Sequence, residues 1–433
     1  MNFTPSQRVC GLGAVMLVAL TICSRHFSDR GGPYFMITLA VAAVAYLLAV
    51  REFFINSKFP RHVLVIGLAF CALWQMAFLR LSPGNNDDIH RYVWDGRIQR
   101  LGYNPYLVIP SNPAVQTLHT AETRTLNNPD LPSPYPPGAQ LFFRAVTAIH
   151  ESVFAMKVTL VFCAWAIVFL LLDLARLTEK GAHLVLVYAW NPLLAIEVAG
   201  SGHIDIVGAL FLVISAVALA RRWRAVAAAA LALSIAVKFL PLVLLPLYWK
   251  RIRIRDAVLG VIILALIYMP FLDHGRIPIG SIGAYVQGFR FNGPIFAALD
   301  HLLPPAVLVG LALLVGLAIA TVLSRAKSIP LTDSFAWPMA ASLFFAPAIF
   351  PWYLLWLLPF LTSSSTLLIV IWTVSILLTY IQWHLSKVSG AWGALPAWVM
   401  LLEYGCLAIA AAFRVIRRTR LPAQSSLPTG REQ

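Results

Sequence analysis

Between positions 84 and 97 the chain reads Gly84-Asn85-Asn86-Asp87-Asp88-Ile89-His90-Arg91-Tyr92-Val93-Trp94-Asp95-Gly96-Arg97, directly after an apolar run that ends at Leu79. Three carboxylates, one His and two Arg therefore stand at the mouth of a hydrophobic segment. Acids so placed can take a proton from a hydroxyl, and cations so placed can hold an anion. A helix over residues 88–101 would put Asp88, Arg91, Tyr92 and Asp95 on one face, because steps of three, four and seven return to the same side. Ile89 and Val93 would face the other way, the pattern of a helix lying in a membrane interface. The plain alternative is a solvated loop that merely stops a membrane helix. Acids this dense beside Tyr92 and Trp94, in a charge-poor chain, favour an active-site loop.

The elements that must position this loop are membrane spans. The chain has 433 residues, 60% of them hydrophobic and 12% charged, and its mean hydropathy is +0.78. No water-soluble domain has that balance. A formal charge of +15 would suggest nucleic acid in a soluble protein, but in a membrane protein Lys and Arg collect in cytoplasmic loops, so no nucleic-acid partner is implied. Cys10, Cys23, Cys71, Cys163 and Cys406 lie in or beside apolar runs and read as small core residues, with neither metal spacing nor a disulfide frame. The run Val9–Cys23 has a signal-peptide look, but no small-residue cleavage site follows, and it reads as a first transmembrane helix.

Apolar runs suited to spans cover about residues 9–23, 34–50, 62–79, 153–173, 183–199, 203–220, 256–272, 305–323, 366–383 and 394–413. With a cytoplasmic N-terminus, the linker 51–61, the group Arg176, Glu179 and Lys180, the cluster Arg221-Arg222-Trp223-Arg224 and the tail 414–433 fall inside, as the positive-inside rule requires. Segment 225–249 joins that cluster to Lys250-Arg251-Ile252-Arg253-Ile254-Arg255. A single crossing would leave four of those cations outside, whereas a broken hairpin turning near Lys238-Phe239-Leu240-Pro241, its arms too short to cross fully, would keep both clusters inside and is the favoured reading. Pro347 and Pro351 split 334–361 in the same way. This arrangement sends segment 80–152, Gly200–His203, the Lys238 turn, loop 273–303, the Pro347–Tyr353 turn and His384–Gly393 to one extracytoplasmic cleft. The expected fold is one all-α, polytopic transmembrane bundle over 1–433. About 12–14 membrane helices are expected, some broken or re-entrant, with a large first catalytic loop at 80–152.

Segment 80–152 is Pro- and Asn-rich and ends in Asp130-Leu131-Pro132-Ser133-Pro134-Tyr135-Pro136-Pro137-Gly138, which favours rigid turns over long helix. No nucleotide-binding pattern and no internal repeat is evident. The order of short motifs is more telling. Asp-Asp-Ile-His-Arg-Tyr (87–92), Gly-Tyr-Asn-Pro-Tyr (102–106) and Tyr135-Pro136-Pro137 are followed by Trp190-Asn191-Pro192, Gly202-His203-Ile204-Asp205, Val237-Lys238-Phe239-Leu240-Pro241 and Pro351-Trp352-Tyr353. That series resembles the GT-C superfamily of polytopic glycosyltransferases. More narrowly it resembles the polyprenol-phosphate-mannose-dependent mannosyltransferases, and more distantly the GPI mannosyltransferase I catalytic subunit.

The resemblance implies sugar transfer from a lipid-phosphate carrier, outside the cytoplasm, with inversion at the anomeric carbon. The lipid phosphate is the leaving group, so a base must serve the acceptor hydroxyl and cations must receive the phosphate. The match places the base on Asp88. Asp87 either assists it or holds a cation. The adjacent pair differs from the single Asp or Asp-x-Asp of other members and leaves a divalent cation as an open alternative. Binding roles fall to His90, Arg91, Tyr92, Tyr135, His203, Asp205, Lys238, Arg290, Trp352 and Tyr353. Asp95 is placed either to join them or to pair with Arg91 one turn away. The buried acid Glu197 is a further suspect. Phe350 stands where some relatives carry a His, so no acid or base is assigned there.

The expected function is a membrane glycosyltransferase of the bacterial cytoplasmic membrane, its active site facing outward. It would pass a hexose, mannose first, from a polyprenyl-phosphate donor to a glycolipid or lipid-linked glycan. The alternatives are another sugar on the same carrier, or a lipid transporter or flippase. A transporter would show internal repeats and midplane polar groups.

Overall fold

Thr4 opens the first helix with a reciprocal cap, in which its hydroxyl accepts from the Gln7 N–H and the Gln7 side chain accepts from the Thr4 N–H. From there the computed structural model describes residues 3–84, 87–326 and 329–420. Asn85 and Asn86 of the acidic stretch, and residues 421–433 of the expected cytoplasmic tail, lie outside the described residues. The helices in chain order are α1 (Pro5–Arg25), α2 (Pro33–Ile55), α3 (Arg61–Leu79), α4 (Asp88–Arg100), α5 (Pro137–Ile149), α6 (Val153–Leu177), α7 (Val185–Ala189), α8 (Asp205–Ala220) and α9 (Arg224–Val237). They continue with α10 (Leu245–Tyr248), α11 (Ile254–Tyr268), α12 (Ile282–Gly288), α13 (Pro294–Leu299), α14 (Pro305–Arg325), α15 (Leu331–Phe344), α16 (Leu367–Ser375), α17 (Ile381–Ser389) and α18 (Ala397–Arg420). Among the described residues the chain is all-α, with two isolated β-bridges and no strand.

Among the described residues, eight helical segments are long and apolar enough to cross a membrane: Pro5–Arg25, Pro33–Ile55, Arg61–Leu79, Val153–Leu177, Ile254–Phe271, Pro305–Arg325, Ser364–Ser389 and Ala397–Ile416. A ninth is broken. Ala182–Ala189 and Leu194–Ser201 meet at a 57° bend, where Pro192 interrupts the backbone ladder. Leu194–Ser201 is π-helical, wider than an α-helix, and all of its side chains are buried. Such widened turns gather at functional sites. The shorter apolar helices α8 and α9 complete the bundle. Pro241 and Pro246 break the segment after α9 into a turn at Lys238, a 3-10 stretch Leu240–Leu244 and α10, as the hairpin reading expects. Its two basic ends meet, since Arg222 and Arg224 line the same hollow as Arg253 and Arg255. Pro347 and Pro351 likewise separate α15 from the 3-10 run Pro351–Trp356.

The bundle core and the loop 80–152 are one packed body. Ile89, Tyr92 and Val93 of α4 join the main apolar core, while Trp94 and Ile98 build a small second core with Val115 and Leu126. The structure thereby corrects the interfacial helix expected for 88–101. Its apolar side meets protein, not lipid, and residues 89–96 are buried on every side. The reason is segment 101–136, which folds back over α4 and stacks His119 flat on Trp94 with ring centres 4.0 Å apart.

Two glycines let the site close. Gly202 ends the π-helical turn at φ +80°, and a Cβ there would lie 2.4 Å from Ile89 of α4. A Cβ on Gly208 would strike the Trp356 ring at 1.9 Å, so only glycine admits that indole against α8.

Candidate active site

Asp88 begins α4 and is half-buried. Its Oδ1 accepts a short hydrogen bond from the Asn127 amide, and no cation lies within salt-bridge distance of it among the described residues. Burial drives its pKa up from the ordinary carboxylate value; the adjacent Asp87 adds to this, while His203, the Tyr135 hydroxyl and Lys238 pull the other way. Tyr92 stacks on Phe143 at 4.5 Å and meets the Tyr135 ring edge-on at 5.0 Å. The Tyr92 hydroxyl accepts from the Ile204 N–H at 3.4 Å. Burial and the nearby Asp88 push both tyrosines well above the usual phenol range, so they stay neutral.

The break before α8 supplies the facing wall. The His203 ring lies flat on Trp352, centres 4.0 Å apart, and Trp352 continues onto Phe350 and Phe291 at 4.4 Å per step. His203 Nδ1 is 2.8 Å from Glu197, close enough for an ion pair but not aligned as a hydrogen bond. The Tyr380 hydroxyl donates to the other Glu197 oxygen. Asp205 Oδ1 accepts from both Lys238 Nζ and Trp356 Nε1, each at 2.7 Å. Lys238 also caps the Tyr353 face, 4.1 Å from its centre. Beyond that ion pair, two buried polar atoms are left without partners here, namely His203 Nε2 and Asp205 Oδ2. Buried polar atoms are rarely orphaned unless something else comes to meet them.

Other residues named from the sequence hold this wall in place. Asp87 is paired with Arg30 at 2.7 Å, and Arg30 also donates to Ser201 and to the Pro83 carbonyl. Both His90 ring nitrogens face carbonyls, Glu122 O at 2.5 Å and Gly84 O at 2.9 Å. Arg91 donates to the Asn128 and Leu131 carbonyls and sits 3.4 Å from Asp95. Asp95 in turn accepts from Ser133 and Gln140. These residues bind the fold-back segment to α4. Arg290 stands apart from the cluster: it donates to the Val286 and Phe289 carbonyls, approaches Asp300 at 3.4 Å and covers the Phe296 ring.

Among the described residues no group of three or more His, Cys, Asp or Glu is arranged to hold a metal ion. The adjacent acids do not fit a divalent cation either, because the Arg30 guanidinium already occupies Asp87.

Sequence reading missed Arg30, Asn127, Lys157 and Trp356. Lys157 is buried in α6 and donates to the Phe78 carbonyl in the last turn of α3 and to the Leu81 carbonyl just beyond it, where the span gives way to the acidic loop. A cation inside an apolar run was the available signal, the same one that singled out Lys238. Arg30 and Asn127 gave none, because their acidic partners lie 57 and 39 residues away.

No curated protein and no solved structure matches the chain. Residues 13–251 match one family, described as alpha-(1->6)-mannopyranosyltransferase, N-terminal domain. The matched region runs from α1 past Lys238, and so takes in Asp88, Tyr92, Tyr135, Glu197, His203 and Asp205 but not Arg290, Trp352 or Tyr353. It spans more than half of the chain, and on that ground this integral membrane protein belongs to the MptA_B family of mannosyltransferases.

Proposed function

We propose that the protein transfers mannose from a polyprenyl-phosphate carrier to a hydroxyl of a glycolipid or lipid-linked glycan, with Asp88 as the base. The observation that carries this is the placement of Asp88. Among the described residues it is a carboxylate with no ion-pair partner, at the mouth of a buried cluster that also holds His203 and Lys238. In the step, the acceptor oxygen attacks the anomeric carbon while its proton passes to Asp88. The bond from that carbon to the phosphate oxygen breaks, and its electron pair leaves with the phosphate. Lys238 and His203 are the groups suited to receive that charge. The orphaned His203 Nε2 and Asp205 Oδ2 are what a bound donor would satisfy, and the Trp352 and Tyr353 rings offer apolar faces to the sugar or the first isoprene units. Displacement in one step inverts the centre, so an α-(1→6) product, the linkage in the family's description, calls for a β-linked donor.

The location follows from charge. Arg222, Arg224, Arg253 and Arg255 sit together, while the Asp88 cluster lies at the far ends of α8 and α9. On the positive-inside rule, that separation supports a site facing outward from a bacterial cytoplasmic membrane.

The test is transfer from a synthetic polyprenyl phosphomannose to membrane acceptor, with donor binding measured separately. An amide at position 88 can still accept the Asn127 hydrogen bond but cannot take a proton. Asp88→Asn is expected to bind donor normally and to lose on the order of 10²–10⁴-fold in turnover. Near-normal turnover in that variant would remove the base from Asp88.

A further inference from the structure

At the end of the molecule away from Asp88, the two basic turns close around a hollow of about 510 Å³, lined by Arg222, Trp223, Arg224, Arg253 and Arg255 with Asp256 at its edge. Its cations are under-compensated. Arg221, beside the hollow, is paired with Asp173 at 2.7 Å, and Arg255 only approaches Asp256 at 3.8 Å. Among the described residues, no carboxylate lies within salt-bridge distance of Arg222, Arg224 or Arg253. Asp256 is itself engaged, accepting from the Arg253 N–H at 2.9 Å to cap the start of α11. The first turn of α9 adds to the positive field: Ala225 and Val226 line the hollow, and N–H groups there lack an intrahelical acceptor.

Backbone geometry points the same way. Arg222 and Lys250, one in each turn, sit at φ +60° and +62°. That left-handed region disfavours side chains, and glycine would hold it at no cost. Both turns carry a cation there instead. Trp223 in the lining is 54% exposed, Trp249 just before the second basic turn is 75% exposed, and α11, whose first turn carries Arg255 and Asp256 of the lining, has only 17% of its apolar window buried within the protein. The hollow therefore opens between helices at a lipid-facing flank, with indoles at headgroup depth.

We infer that this hollow binds the phosphate of an anionic phospholipid of the adjoining leaflet. A soluble phosphate would be served by the guanidinium groups alone. The exposed indoles and the bare flank of α11 fit the glycerol and acyl portions of a lipid. The inference concerns the end opposite the mannosyl-transfer site and does not depend on that reading.

The experiment uses the purified full chain in detergent and three probes at matched concentration: phosphatidylglycerol, phosphatidylcholine and inorganic phosphate. Thermal unfolding and native mass spectrometry report binding. Phosphatidylglycerol should give a saturable upward shift in the unfolding temperature and retain one lipid per chain, with little effect from phosphatidylcholine. The double variant Arg222→Gln/Arg253→Gln should weaken that binding at least fivefold at unchanged basal mannosyl transfer. Arg222→Lys/Arg253→Lys, which keeps the charge, should restore most of it and serves as the folded reference if the Gln pair is unstable. Equal shifts with both lipids, equal saturation by inorganic phosphate, or wild-type lipid affinity in the Gln variant would each overturn the inference.

Discussion

Asp88 and Asp95 lie two turns apart on α4, and burial raises the pKa of each, yet their loss should read out in opposite ways. Asp95 is spent on Arg91, Ser133 and Gln140, so Asp95→Ala strands a buried guanidinium and should destabilise the protein by about 3–5 kcal/mol. Asp88 has no such cation. Its raised pKa means the fold favours the protonated form, so its contribution to stability is present below the unfolded-state value and is lost as pH rises through the folded one. At neutral pH Asp88→Asn should therefore unfold no earlier than wild type while being nearly inactive. As the proposed base, Asp88 works only when ionised, so the acidic limb of the wild-type rate profile should lie above the ordinary carboxylate pKa. Lys238→Ala should cost at least tenfold in turnover, the scale of one charge-assisted contact of about 1.5–3 kcal/mol. It also strands the buried Asp205, so Asp205→Asn made with it should recover stability but not rate. The sequence named both acids of α4 and the Arg91–Asp95 pair because those relations are local. It could not show that Arg30 occupies Asp87, since helical periodicity says nothing about a partner on another loop.

At the scale of elements, the spans were legible as apolar runs, and the doubled-back segment after α9 was legible from its two basic ends. The burial of α4 was not, because segment 101–136 covers it without any hydrophobic period of its own. The role of α18 was also hidden. Only 11% of its apolar window is buried, yet Glu403 on it is fully enclosed and accepts from Asn292 Nδ2 and Trp372 Nε1, both at 2.9 Å. The Tyr404 hydroxyl donates to the Asn292 carbonyl at 2.7 Å. Neighbouring Phe291 exchanges backbone hydrogen bonds with Pro347 and Ile349 and begins the ring column that ends on His203. The last helix thus fixes the far end of the stack against which the site histidine lies. Glu403→Ala should lower turnover roughly tenfold, the equivalent of about 1–2 kcal/mol of lost hydrogen bonding, with Glu403→Gln near wild type. A loss confined to thermal stability, with turnover intact, would make Glu403 a packing residue only.

For the molecule as a whole, the test is sidedness. His274, in the loop after α11, has a 91% exposed side chain, and Arg255, at the other end of α11, a 74% exposed one. Single cysteines at these positions in a cysteine-free background should label with an impermeant maleimide from outside at 274 and only after permeabilisation at 255. The reverse pattern would turn the site toward the cytoplasm. One dimension then acquires a meaning of its own. The helices α8 and α9 have 16 and 14 residues, about 24 and 21 Å at 1.5 Å per residue, against a hydrocarbon core of about 30 Å. With their basic ends at one boundary, Asp205 and Lys238 fall several ångströms short of the other. On the proposed function, an activated sugar drawn down to them leaves bulk solvent, while a lipid-carried acceptor can follow. Water is the competing nucleophile for any activated mannose, and a site sunk below the headgroups admits it sparingly. The shortness of these two helices is thus a physical basis for transfer prevailing over hydrolysis.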